Sequence, residues 1–140
     1  MMWLFIAIVF VVIAVVDEIC TRRRLRPIAM RSCRGREWRR RFPDSPSAAI
    51  REFLLLFAGE FGLARLALKL RPDDRVMDVY RAIYPPKVSV CDQCELESFA
   101  LSVERRYGIE LIAMWRDDLT LGEIFGRAWS GGSQVEAGGV

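Results

Sequence analysis

Residues 92–107 read DQCELESFALSVERRY, and Gly108 follows. Leu96, Phe99, Ala100, Val103 and Tyr107 recur at the three- and four-residue spacing of a helix face, while Glu95, Glu97, Ser98 and Glu104 fall mainly on the other side. The stretch predicts an amphipathic helix from about Asp92 to Tyr107, with Gly108 as the residue that ends it.

The same logic extends upstream. Ser45-Pro46 open a helix predicted to run to about Phe61, buried through Ile50, Phe53, Leu54, Phe57, Ala58 and Phe61. Gly62 closes it. Within Arg71-Pro72-Asp73-Asp74 an aspartate is placed to cap a second helix, whose apolar face is Val76, Val79, Tyr80 and Ile83. Pro85-Pro86 stop that helix, because proline lacks the N–H and disfavours helix in the preceding residue.

Downstream, Thr120-Leu121-Gly122-Glu123 has the form of a capping box. The helix it opens buries Leu121, Ile124, Phe125, Ala128 and Trp129. Gly131-Gly132 are read as its end, with residues 131–140 a disordered tail. No convincing alternating strand appears, so the fold class is all-α.

The N-terminus is different in kind. Met1 to Val16 carry no charged or polar side chain. Sixteen helical residues reach about 24 Å, a little short of the roughly 30 Å hydrocarbon core, and Ile19 and Cys20 extend the run. With no polar face, the segment fits poorly as an interfacial or soluble amphipathic helix. A cleaved signal peptide has basic residues before the apolar run and a small-x-small site after it, whereas here Met1-Met2 precede and Asp17-Glu18-Ile19-Cys20-Thr21 follow. Residues 1–20 are therefore read as an uncleaved transmembrane anchor.

Between Arg22 and Arg41 stand ten arginines and one acid, Glu37, a net charge of +9 in a chain whose total is +3. The remainder is net acidic, −2 over residues 1–21 and −4 over residues 42–140. The positive-inside rule keeps the arginine end in the cytoplasm and puts the N-terminus outside. Arg22, Arg23, Arg24 and Arg26 lie where anionic lipid headgroups meet the chain. An acidic domain lacks the broad basic footprint of a nucleic-acid binder.

Residues 21–44 mix these arginines with Pro27, Gly35 and Pro43 and hold few apolar positions, so they read as a cytoplasmic linker with a short helical piece near Trp38. The helical domain spans residues 45–130. Deleting residues 1–41 should on this reading leave a soluble folded domain.

The chain has four cysteines and no histidine, which excludes a histidine-based triad and a histidine-containing zinc site. Cys91 and Cys94 form a C-x-x-C, but Cys20 and Cys33 do not supply a second pair at zinc-ribbon spacing. Without a βαβ context a thioredoxin-like role is the weaker reading, and reduced cysteines without a redox task the stronger.

The order of helices, with Asp92-Gln93-Cys94-Glu95-Leu96-Glu97, then Tyr107-Gly108-Ile109-Glu110-Leu111, then Thr120-Leu121-Gly122-Glu123-Ile124-Phe125, resembles the acyl carrier proteins. The resemblance implies a small four-helix bundle behind the transmembrane helix. In that family an Asp-Ser-Leu motif opens the recognition helix, and the serine hydroxyl carries phosphopantetheine as a phosphodiester. Here Gln93 stands at that position, and an amide offers no such oxygen. Ser89 lies four residues earlier, in Val88-Ser89-Val90, without the preceding acid. The interval from Arg75 to Val90 is also longer than the family's usual loop, and the membrane anchor is a further departure.

The resemblance thus implies a non-enzymatic, membrane-anchored, degenerate carrier without a cofactor. Asp92, Glu95, Glu97 and Glu104 would be the acidic surface offered to a basic protein partner. A solvated helix face with Asp92 as cap accounts for the same acids. The alternatives are a genuine acyl or peptidyl carrier using Ser89 and a thiol-redox protein using Cys91 and Cys94. No catalytic, metal-binding or nucleotide-binding constellation stands out. The expected location is the inner, cytoplasmic membrane.

Overall fold

A computed structural model describes residues 1–85 and 94–135, with side chains through Gly131. Ser89, Cys91, Asp92, Gln93 and residues 136–140 lie outside the described residues. Six α-helices run in the order α1 (Met2–Ala29), α2 (Gly35–Arg41), α3 (Ser47–Glu60), α4 (Val76–Ile83), α5 (Cys94–Tyr107) and α6 (Leu121–Val135), with 3-10 turns at Ala64–Lys69 and Leu111–Met114. Among the described residues there is no strand, and the one β-bridge joins Arg75 to Thr120.

The apolar stripes close on one core. Phe53 and Phe57 of α3, Phe99 and Val103 of α5, and Ile124 and Phe125 of α6 are all essentially inaccessible to solvent. Ring contacts knit them together: Phe57 meets Phe99 edge-on with centroids 5.1 Å apart, and Phe53 lies 5.5 Å from Phe125. Aromatic pairs at these separations add to the burial of their area. Every expected core residue of α3 is buried, and Val76, Val79 and Tyr80 are buried from α4 while Ile83 is half-buried. Gly62 and Gly108, both at φ +67°, supply the left-handed turns that end α3 and α5.

The caps divide. At α6 the capping box forms as read: Glu123 accepts from the Thr120 N–H at 3.0 Å, and the Glu123 N–H donates to Thr120 Oγ1 at 3.3 Å. At α3 the flanking residue is Pro46, and the Ser45 hydroxyl donates to the Phe42 carbonyl instead. At α4 the flanking residue is Arg75, with no side-chain cap. The Asp74 carboxylate accepts the Arg71 N–H at 2.7 Å, holding the turn before the helix rather than its first turn. The Val76 N–H donates to Leu119 and the Leu121 N–H to Asp74, so the starts of α4 and α6 are tied to each other. Gly122 belongs to this seam, because its N–H bonds Pro72 O at 2.8 Å and a Cβ there would stand 2.9 Å from the same oxygen.

Two boundaries differ from the sequence reading. α6 continues through Gly131 and Gly132 to Val135, so the expected stop at the glycine pair is not where the helix ends. More consequentially, residues 21–44 are not a tether. α1 runs without interruption through Asp17–Thr21 to Ala29, and Leu25 and Ile28 are buried in the domain core. α2 buries Trp38 completely, its indole N–H donating to Leu70 O at 2.9 Å and its ring stacking on Phe42 and meeting Phe125 edge-on. A chain beginning at Phe42 therefore lacks part of its own core.

Candidate functional site

Two surfaces gather the residues singled out above: the basic collar after the apolar half of α1, and the exposed side of α5.

In the collar, each arginine has its own environment. Arg22 is exposed and pairs with Glu18 one turn back at 2.8 Å. Arg23 is exposed and makes no ion pair among the described residues. Arg24 turns the other way, its Nε donating to Ala82 O at the end of α4 at 2.8 Å and its Nη2 to Thr21 Oγ1 at 3.1 Å. Arg26 is exposed and contacts the Met30 sulfur. Of the four arginines assigned to lipid headgroups, Arg24 is thus spent on the domain.

Further along, Arg31 grips both oxygens of Asp74 at 2.9 and 2.7 Å, with both side chains mostly buried. Arg41 pairs with Asp73. Glu37 is held by Arg34 at 2.8 Å and Arg71 at 3.2 Å, and chiefly the Arg71 hydrogen bond draws its carboxyl below the usual glutamate range. Arg36, Arg39 and Arg40 remain exposed without an ion pair among the described residues.

The other surface is set by α5. Arg106 pairs with Glu52 at 2.5 Å and Ser102 donates to Glu60 at 2.6 Å, fixing the helix against α3. Its outer side carries Glu97 and Glu104 exposed, Glu95 half-buried, and Cys94 exposed at the first described position. The burial of Tyr107, about which α5 turns into Gly108, raises the phenol above its ordinary value, and its hydroxyl has no hydrogen-bond partner among the described residues.

Beside α5 runs a groove of about 520 Å³, lined by Met77 of α4, Leu96, Glu97 and Ala100 of α5, and Ile112, Trp115 and Asp117 from the turn that follows. Its floor is apolar, its rim carries two carboxylates, and Ile112 stands 72% exposed beside it. Sequence reading found Leu96, Ala100 and Glu97 but missed Met77, Ile112, Trp115 and Asp117. Met77 lies 17 residues before α5 and the other three lie 5 to 10 residues after it, and no periodicity links them.

Of the acids assigned to a partner surface, Glu97 lines this groove, Glu95 and Glu104 share its helix, and Asp92 lies outside the described residues, as do Gln93 and Ser89. Cys94 is the described half of the C-x-x-C. Among the described residues no group of three or more histidine, cysteine, aspartate or glutamate side chains is placed to hold a metal ion. α1 is long and apolar enough to cross a membrane, and none of its apolar window is buried against the rest of the chain. Comparison of the chain with family models, curated proteins and solved structures gives no match.

Proposed function

We propose that this protein is a single-pass, membrane-anchored interaction domain that holds an acidic, apolar groove at the cytoplasmic surface for a basic protein partner. The observation that carries this reading is the groove between α4, α5 and the Leu111–Met114 turn, where Met77, Leu96, Ala100, Ile112 and Trp115 form an open apolar strip beside Glu97 and Asp117. Such a strip with a charged rim matches an amphipathic helix that buries apolar anchors and sets lysine or arginine against the acids. The unbroken passage of α1 into the core favours an anchor over a removable leader, since cleavage near Cys20 would fall inside a continuous helix. The +9 segment sets the domain on the cytoplasmic side.

The acyl-carrier resemblance supports the same role for α5, with Gln93 in place of a hydroxyl and hence no prosthetic arm. Two experiments test the two parts. A photo-crosslinking side chain at Ile112 in the full chain, expressed in its membrane, should give a discrete adduct that Glu97→Lys with Asp117→Lys abolishes, while the same probe at Arg127 gives none. No adduct at Ile112, or one indifferent to the charge reversals, contradicts the groove. Co-expression with a broad phosphopantetheinyl transferase should leave the intact mass unchanged, and a phosphopantetheine adduct mapped to Ser89 would replace this reading with a working carrier.

A further inference from the structure

The groove beside α5 has a counterpart of opposite charge. Between α2 and the first half of α3 lies a groove of about 270 Å³, its floor made by Ile50, Leu54 and Leu68 and its rim by Arg39 and Arg51. Both arginines are exposed, neither makes an ion pair among the described residues, and no acid among those residues lines the groove. In the α5 groove the rim charges are Glu97, exposed and without an ion pair among the described residues, and Asp117, which lies 3.4 Å from Arg81. Ile112 projects into solvent beside these two acids.

Shape and position agree with charge. A cavity of about 150 Å³ admits a benzene-sized group, so the basic groove has room for an isoleucine side chain. α1 and α4 run antiparallel, since Arg24 reaches Ala82 O at the end of α4 at 2.8 Å and Arg31 grips Asp74 just before its start. Met77, in the first turn of α4, therefore stands level with the end of α1 that points away from the apolar stretch. At the basic groove the Arg34 N–H donates to Leu68 O at 2.9 Å, which sets Leu68 and Gly35 at that same end. One wall of each groove thus lies at a similar distance from the apolar stretch, as two copies standing side by side in one membrane require.

We infer that the basic partner of the acidic groove is a second copy of this chain, packed head to tail: Ile112 of one copy enters the groove between α2 and α3 of the next, and Glu97 and Asp117 face that copy's Arg39 and Arg51. This rests on the proposed role of the acidic groove as a docking site. Knob and hole lie on different parts of the surface, so the contact is heterologous and has a direction. The full chain with a photo-crosslinking side chain at Ile112 is co-expressed in the membrane with a differently tagged copy that lacks the probe. An adduct carrying both tags should form and map to residues 47–54 or Leu68 of the tagged copy. Arg39→Glu with Arg51→Glu in the tagged copy should lower that adduct several-fold, whereas the same two substitutions in the probe-bearing copy should leave it unchanged, which also shows that the variant folds. Glu97→Lys with Asp117→Lys in the probe-bearing copy should then restore the adduct to the substituted tagged copy. An adduct to a different protein, one mapped to α5 of the tagged copy, equal loss in both arrangements, or no restoration by the charge swap would overturn the inference while leaving the acidic groove a docking site. No adduct at Ile112 with any protein would overturn both.

Discussion

The two halves of α1 belong to one helix and to two different surroundings. From Met2 to Cys20 every residue is exposed, and Trp3, Phe5 and Phe10 are each more than two-thirds exposed. From Thr21 to Ala29 the same helix packs on α4 and the 3-10 turn, buries Leu25 and Ile28, and sends Arg24 to Ala82 O. A helix can carry both roles because the sequence changes its pattern at Asp17, from uniformly apolar to one apolar stripe flanked by arginine. The arginines then do double duty, five (Arg23, Arg26, Arg36, Arg39 and Arg40) lying exposed without an ion pair among the described residues and others binding acids that the chain places thirty or forty residues later.

Truncation should separate the halves most strongly. A chain beginning at Asp17 loses no core residue and should melt cooperatively in aqueous buffer. One beginning at Phe42 loses Leu25, Ile28 and Trp38 together, a loss comparable to the whole stability of a domain this size, and should show no cooperative transition by circular dichroism.

Single tryptophans sharpen the contrast. Trp38→Ala empties a fully buried site and leaves Leu70 O unpaired, so chemical denaturation should report a loss of about 3–5 kcal/mol. Trp3→Ala, at a site 81% exposed, should stay within about 0.5 kcal/mol. Between these lies the Arg31–Asp74 pair, whose two hydrogen bonds are mostly shielded from water. Arg31→Ala should cost about 1–3 kcal/mol, because it leaves the mostly buried Asp74 carboxylate only the Arg71 N–H, while Arg40→Ala should cost almost nothing.

The amphipathic helices were legible because each supplies several apolar residues per face. Ile50 through Phe61 in α3 and Leu96 through Val103 in α5 needed only their spacing to be assigned to the core. Trp38 was not legible as core, since one apolar residue among Arg34, Arg36, Arg39, Arg40 and Arg41 looks like a solvated run. What buries it is contact with distant parts of the chain, since its ring meets Phe53 and Phe125 and its N–H reaches Leu70 O. The continuity of α1 was hidden for the same reason: the arginine run with Pro27 reads as a linker from residue 21, whereas the helix continues nine residues past Cys20 to Ala29. At the candidate site the acids of α5 could be read, but the groove beside them is assembled from three segments and had no local signature.

Acid should expose the smallest part of the contrast. Glu37 and Glu123 have carboxyl groups held below the ordinary value of 4.5, the first mainly by Arg71 and the second by the Thr120 N–H. A depressed folded pKa gives stability that is complete above the unfolded value and drains as pH falls through the folded one. The melting temperature should therefore be flat near neutrality and fall below about pH 4.5, and Glu37→Gln should lower the neutral value and flatten the acid slope. A pH profile unchanged by that substitution would remove Glu37 from the account of how the basic segment is held.

Hydrogen exchange of the full chain in nanodiscs, read by mass spectrometry, tests most directly whether α1 and the domain form one rigid piece. Amides from Thr21 to Ala29 should be protected to the same degree as those of α3 and α5, and the peptide containing Trp38 should exchange as slowly as the core. Exchange within seconds for the peptides between Asp17 and Phe42, beside a protected α3 and α5, would show a loose tether and contradict the continuous α1.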